Sequence, residues 1–198
     1  MTDVRVLILP GRGNSGEGHW QTHWQNNNPS YERVLQKEWQ NPDLEDWVNT
    51  LQAVISENDD PVVLIAHSLS VSLVAHWAKR YSGPVLAALL VAPSDIEAPD
   101  YPPGIRGFSP LPLKLLPFKT VVVASTNDPK VSLPRAQYFA DAWGARLEIA
   151  GAHGHLGAAA ELETWEFGIQ LRDELIDYAA NALARQRQDG NKVQTSGY

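Results

Sequence analysis

The sequence predicts an α/β fold in which a mostly parallel central sheet of about six strands carries helices on both faces. Apolar runs of strand length recur along the 198 residues, and most are continuous, as strands buried on both faces require. Segments with helical spacing stand between them. The clearest unit is Pro61–Tyr81, where the unbroken run from Val62 to Ala66 passes through Ser68 directly into a helical segment. A buried strand turning abruptly into a helix is the repeating step of a parallel sheet.

Taken in order, Val4 to Leu9 reads as the first strand, closed by Pro10-Gly11. The following stretch to Gly18 is too rich in glycine for regular structure, and His19 to Gln25 predicts a short helix carrying Trp20 and Trp24. Tyr31 to Leu35 is a plausible second strand. Asn41-Pro42 predicts a helix start, with Asn41 as N-cap, proline at the first helical position and Asp43 and Glu45 in the first turn. Leu44, Trp47, Val48, Leu51, Val54 and Ile55 then fall on one face, which should pack on the sheet.

Val85 to Val91 is the next buried strand. From Ala92 to Phe118, Pro93, Pro99, Pro102, Pro103, Pro110, Pro112 and Pro117 exclude long helices, and so long a connection is expected to be a lid or binding loop. Thr120 to Ala124 reads as a strand, Leu133 to Trp143 as a helix and Arg146 to Ile149 as the last strand. A long helix is expected from Ala158 to about Arg187, with Leu162, Ile169, Leu175, Ile176, Ala179 and Leu183 inward. The reading is one domain over 1–187, with a polar tail at 188–198 that frays.

A net charge of −7 without a basic block argues against nucleic-acid and anionic-membrane partners. The absence of cysteine rules out disulfides and thiolate metal sites and fits a reducing cytoplasm. The opening segment is broken by Arg5 and reads as a strand, not a signal peptide. No run approaches bilayer-spanning length. The expectation is a cytoplasmic protein.

Ser68 sits where a nucleophile elbow would put it, on a sharp strand-to-helix corner that holds a hydroxyl clear of its neighbours. The first amides of the next helix then point at the same spot, ready for an oxyanion. Ala66 and Ser70 stand where glycines are usual, and both are small. On this stretch alone, a serine capping an ordinary helix explains the residue equally well. Two further strand ends supply partners: Ser125-Thr126-Asn127-Asp128-Pro129-Lys130-Val131, and Gly151-Ala152-His153-Gly154-His155. The order Ser, Asp, His is that of an α/β-hydrolase triad. His153 and His155 compete for the base, and Asp95 competes with Asp128 for the acid. Asp128 is preferred because its strand adjoins the histidine-bearing one.

The motifs PGRGNSGEGHWQTHW from Pro10, AHSLS from Ala66, APSD from Ala92, STNDP from Ser125 and GHL from Gly154, with Trp165 and Gly168 beyond, resemble the small serine hydrolases typified by the retinoblastoma-binding protein nine and by bacterial YdeN-like proteins. The resemblance spans nearly the whole chain. It implies a three-layer α/β-hydrolase fold without a large cap, and a triad of Ser68, Asp128 and His155. Ser70 and Gly157, where glycine and asparagine are more usual, bear on pocket shape. With this assignment the oxyanion hole is expected from the backbone N–H of Leu69 and of Arg12, with Gly13 the alternative to Arg12. The expected activity is cleavage of ester or amide bonds in small molecules through an acyl-serine, without cofactor or metal.

Three other readings compete. His19 and His23 lie four apart, but no carboxylate accompanies them at metalloprotease spacing. Gly11-Arg12-Gly13-Asn14-Ser15-Gly16 matches a dinucleotide-binding fingerprint, with Glu38 at roughly the right distance. Gly18 and two tryptophans stand where that motif needs a long apolar helix. A hydrolase fold kept as a protein-interaction module is the third reading.

Overall fold

The computed structural model describes residues 4–195. Its strands are β1 (Arg5–Leu9), β2 (Glu32–Arg33), β3 (Val62–His67), β4 (Val85–Val91), β5 (Lys119–Ala124) and β6 (Arg146–Ile149). Its helices are α1 (Trp20–Asn27), α2 (Leu44–Ile55), α3 (Leu69–Arg80), α4 (Leu133–Trp143) and α5 (Glu166–Thr195). The six strands form one sheet in the order β2-β1-β3-β4-β5-β6, and every neighbouring pair is parallel. Among the described residues no large cap is inserted and no helix is long and apolar enough to cross a membrane.

Strand periodicity divides the core into two halves. Val62, Leu64 and Ala66 of β3 pack with Trp47, Val48 and Leu51 of α2 and with residues of α3 and α4. Val63 and Ile65 point the other way, among Trp20 and Trp24 of α1 and Leu171, Leu175 and Ala179 of α5. All six residues of β3 are buried, which accounts for an apolar run without alternation. The chain reverses its direction of travel across the sheet between β1 and β3, so a crevice opens at their carboxyl ends.

Several boundaries differ from expectation, β2 shrinking from Tyr31–Leu35 to Glu32–Arg33 among them. The α2 cap is Asp43, whose carboxylate accepts the Glu45 N–H at 3.0 Å, and not Asn41. Pro42 and Leu44 exchange backbone bonds with Arg106, which keeps this stretch extended until Leu44. The helix expected from Ala158 begins only at Glu166, after a single 3-10 turn at Ala158–Ala160. Glu161, Glu163 and Trp165 all have positive φ, because the chain doubles back to bury Trp165 against Trp20, ring centroids 4.9 Å apart. A Cβ at Gly168 would lie 2.1 Å from the Trp165 ring, so only glycine leaves room for that ring over the first turn of α5. The helix then runs on to Thr195, through much of the expected tail; 196–198 lie outside the described residues.

The proline-rich 92–118 segment holds no helix. Ile96, Phe108 and Leu111 are buried in the core beside α2 and α3, and His76 donates its Nε2–H to the Phe108 carbonyl at 2.7 Å. Most of the segment is therefore fixed packing, while its first part walls a cavity beside Asp128.

Candidate active site

Ser68 occupies the corner between β3 and α3 with φ 59° and ψ −122°, a conformation costly for any residue but glycine. Its N–H donates to the Val91 carbonyl at 2.9 Å, which fastens the corner to β4. Its side chain makes no helix-capping bond, so the serine is not an ordinary N-cap. Instead its Oγ lies 2.8 Å from His155 Nε2. The His155 Nδ1 in turn faces both Asp128 carboxylate oxygens at 2.9 Å. Asp128 follows β5 and His155 follows β6, neighbouring strands, and the carboxylate is fully shielded from solvent. The Lys130 N–H also donates to Asp128 Oδ1, at 2.8 Å.

The loop after β1 closes over the serine. A Cβ on Gly11 would stand 2.8 Å from Ser68 Cβ and 2.9 Å from the His67 carbonyl oxygen, so this glycine is a steric necessity. Ser70, in place of the usual glycine, donates its Oγ–H to the Pro10 carbonyl and latches this loop to α3. The Gly13 N–H is taken by the Trp39 carbonyl at 2.9 Å, whereas among the described residues no acceptor takes the Arg12 or Leu69 N–H. The Arg12 guanidinium points away, to the carbonyls of Gln40 and Pro102.

Residues that sequence reasoning passed over hold these groups in register. Ser125 Oγ accepts the His153 N–H at 2.9 Å, and Asn127 Oδ1 accepts the Gly154 N–H at 2.7 Å. The Ser125 hydroxyl donates to that same Asn127 oxygen, so the acid-bearing and histidine-bearing loops are stitched together. Beneath them His67, fully buried, donates its Nε2–H to the His155 carbonyl at 2.9 Å. Burial drives the His67 pKa well below the ordinary imidazole value, with His19 and His155 adding to the effect. His19 is lowered to about 3, chiefly by burial, then by Arg33 and the neighbouring histidines. The Ser94 hydroxyl, buried at the end of β4, lies 3.0 Å from Ser68 Oγ. Apart from His19, which the sequence also offers as half of a metal-binding pair, the only sequence sign of these residues is their membership in the quoted motifs.

The competing candidates are occupied elsewhere. His153 is exposed and only its backbone enters the network. Asp95 pairs with Arg135 at 2.8 Å. Glu38 accepts the N–H groups of Gln40 and Asn41, far from any ribose-binding role. The glycine loop is held by Arg33, which donates to Asn14 Oδ1 and the Ser15 carbonyl, and His19 Nδ1 caps α1 by accepting the Gln21 N–H. Among the described residues no cluster of three or more His, Cys, Asp or Glu is arranged to hold a metal ion.

Two cavities flank the Asp128–His155 pair. One, of about 380 Å³, is lined by Asp95, Tyr101, Asp128 and Lys130. The other, of about 440 Å³, is lined by His153, His155, Gly157 and Ala158. Burial raises the Tyr101 pKa, partly offset by Arg12 and Ser94.

A hydroxyl on a strained corner, an imidazole against it and a shielded carboxylate behind, at the edge of a parallel sheet, define a serine hydrolase of the α/β-hydrolase class. The family comparison agrees: the model of the serine hydrolase family matches residues 6–174, and the chain belongs to that family. A YdeN-like hydrolase from Pectobacterium atrosepticum is 31% identical, covering 89% of this chain and 92% of its own, with a TM-score of 0.79. The ydeN gene product of B. subtilis, 19% identical, covers 90% and 100% at a TM-score of 0.64. The carboxylesterase CesB of Bacillus subtilis, 15% identical, covers 89% and 85%, also at 0.64; these last two likenesses concern the fold alone. No curated protein matches by sequence.

Proposed function

We propose that the protein hydrolyses carboxylic ester or amide bonds of small molecules through an acyl-serine intermediate, without a cofactor. The observation that carries this reading is Ser68 Oγ at 2.8 Å from His155 Nε2 on a corner of positive φ. His155 accepts the Ser68 proton as Oγ attacks the carbonyl carbon, and the carbonyl electron pair moves onto oxygen. Asp128 holds the Nδ1–H tautomer and balances the imidazolium. The Leu69 and Arg12 N–H groups receive the oxyanion, a role favoured by their lack of other acceptors. His155 then protonates the leaving group, and water attacks the acyl-serine through the same base. Cavities of a few hundred Å³ suit small substrates. The lack of cysteine favours a reducing cytoplasmic setting.

The test is covalent labelling with a fluorophosphonate, alongside turnover of a p-nitrophenyl ester. Ser68→Ala is expected to abolish labelling and to lower kcat by about 10⁴-fold or more, with an unchanged unfolding midpoint. Labelling of that variant at the parent rate overturns the assignment.

A further inference from the structure

Resting on Ser68 as the nucleophile, we infer that Ser94 is an additional catalytic residue, a fixed hydroxyl donor to the nucleophilic oxygen itself. The direction of the contact follows from proton accounting. His155 Nδ1 faces two carboxylate oxygens at 2.9 Å, which only accept, so Nδ1 carries the ring proton. Nε2 is then a lone pair, and Ser68 Oγ spends its single proton on it at 2.8 Å. The remaining contact, 3.0 Å between Ser94 Oγ and Ser68 Oγ, can be filled only by Ser94 donating.

Ser94 is well placed for this. It is 2% exposed, so water does not compete for its proton, and the Tyr101 phenol that also faces it can donate its own O–H to the Ser94 oxygen. The Ala92 N–H donates to the Val123 carbonyl and the Asp95 N–H to the Lys130 carbonyl, which fix the short turn carrying Ser94 to β5 and to the loop bearing Asp128.

A donor on Oγ stabilises whatever negative charge that atom carries. In acylation the Oγ–C bond forms while the Ser68 proton passes to His155 Nε2, and Ser94 keeps its own proton throughout. In deacylation the same Oγ departs from the tetrahedral carbon and recovers a proton from Nε2. The Ser94 bond is strongest at that departure, when Oγ is most basic. A second effect is steric: the hydroxyl confines Oγ to the rotamer facing His155.

The experiment compares Ser94→Ala, Ser94→Thr and Ser68→Ala in the full chain. It reads the second-order rate of fluorophosphonate inactivation, kcat and KM for a p-nitrophenyl ester, and thermal unfolding. For Ser94→Ala, kcat and the inactivation rate are expected to fall by about 5–10-fold, with KM within about twofold and the unfolding midpoint unchanged. Ser94→Thr, which keeps the hydroxyl, should recover most of the loss. Parent-like rates in Ser94→Ala overturn the proposal, as does a fall seen only together with a lowered unfolding midpoint. Labelling of Ser68→Ala would instead remove the hydrolase reading itself and this proposal with it.

Discussion

The residue with the least freedom near Ser68 is Gly11, which contributes no functional group. A methyl there meets the Ser68 Cβ and the His67 carbonyl, both under 3.0 Å, and neither can withdraw, because one is the elbow and the other its strand backbone. Gly11→Ala should therefore push the loop after β1 outward and carry the Arg12 N–H away from the oxyanion position proposed for it. The expected cost is about 10²–10³ in kcat, the value of one such donor. Gly16→Ala is the control, since a Cβ there meets nothing within 4 Å; its kcat should stay close to the parent value. Equal activity of the two variants in a steady-state ester assay would count against the loop's role. In the sequence, Gly11 was visible as the end of a strand, as part of the motif from Pro10 and as part of a misleading nucleotide fingerprint, but its steric role was not, because close approach between residues 57 positions apart leaves no local pattern.

At the scale of elements, what could be read was what local physics decides. The ranges Leu133–Trp143 and Arg146–Ile149 agree with the structure, because Ser132 caps the helix, Gly144 ends it in the left-handed region, and a strand must follow. The strands bearing Ser68 and Asp128 were legible for a similar reason: burial on both faces leaves an uninterrupted apolar run. The start of α5 was not legible, since three alanines and two glutamates at 158–163 favour helix locally while the burial of Trp165 forces the chain out of it. The stitch between the acid and histidine loops was invisible for want of any periodicity. Its weight can be measured through Asn127, whose one oxygen takes both the Ser125 hydroxyl and the Gly154 N–H. Asn127→Ala should lower kcat about 10–100-fold through a displaced imidazole, with little change in KM. Asn127→Asp retains the acceptor for the Gly154 N–H and should restore much of the rate. Loss of KM alone, or no rescue by aspartate, would show that the bond does not position His155.

At the scale of the whole molecule, one face of the sheet is closed by Trp20, Trp24 and Trp165, with His19 and His67 packed among them. Both histidines are buried in their neutral form, and burial lowers both pKa values. The unfolded chain, with ordinary imidazoles, binds more protons than the folded one once the pH drops below about 6.5. The stability that depends on a neutral His19 is complete above that pH and drains away as the pH falls towards its folded value of about 3. Between pH 7.5 and 5 this one group accounts for about 2 kcal/mol. His19→Asn separates this linkage from the residue's structural role, because asparagine is itself a favoured N-cap and can keep the acceptor that His19 Nδ1 offers to the Gln21 N–H at 3.1 Å. At pH 7.5 the variant should unfold in urea within about 1 kcal/mol of the parent. At pH 5 it should have lost about 2 kcal/mol less than the parent, so the two stability curves converge or cross on acidification. Parallel curves over pH 7.5 to 5 would mean that the His19 imidazole titrates in the folded protein as it does in the unfolded chain, and that the aromatic seam tolerates a charge.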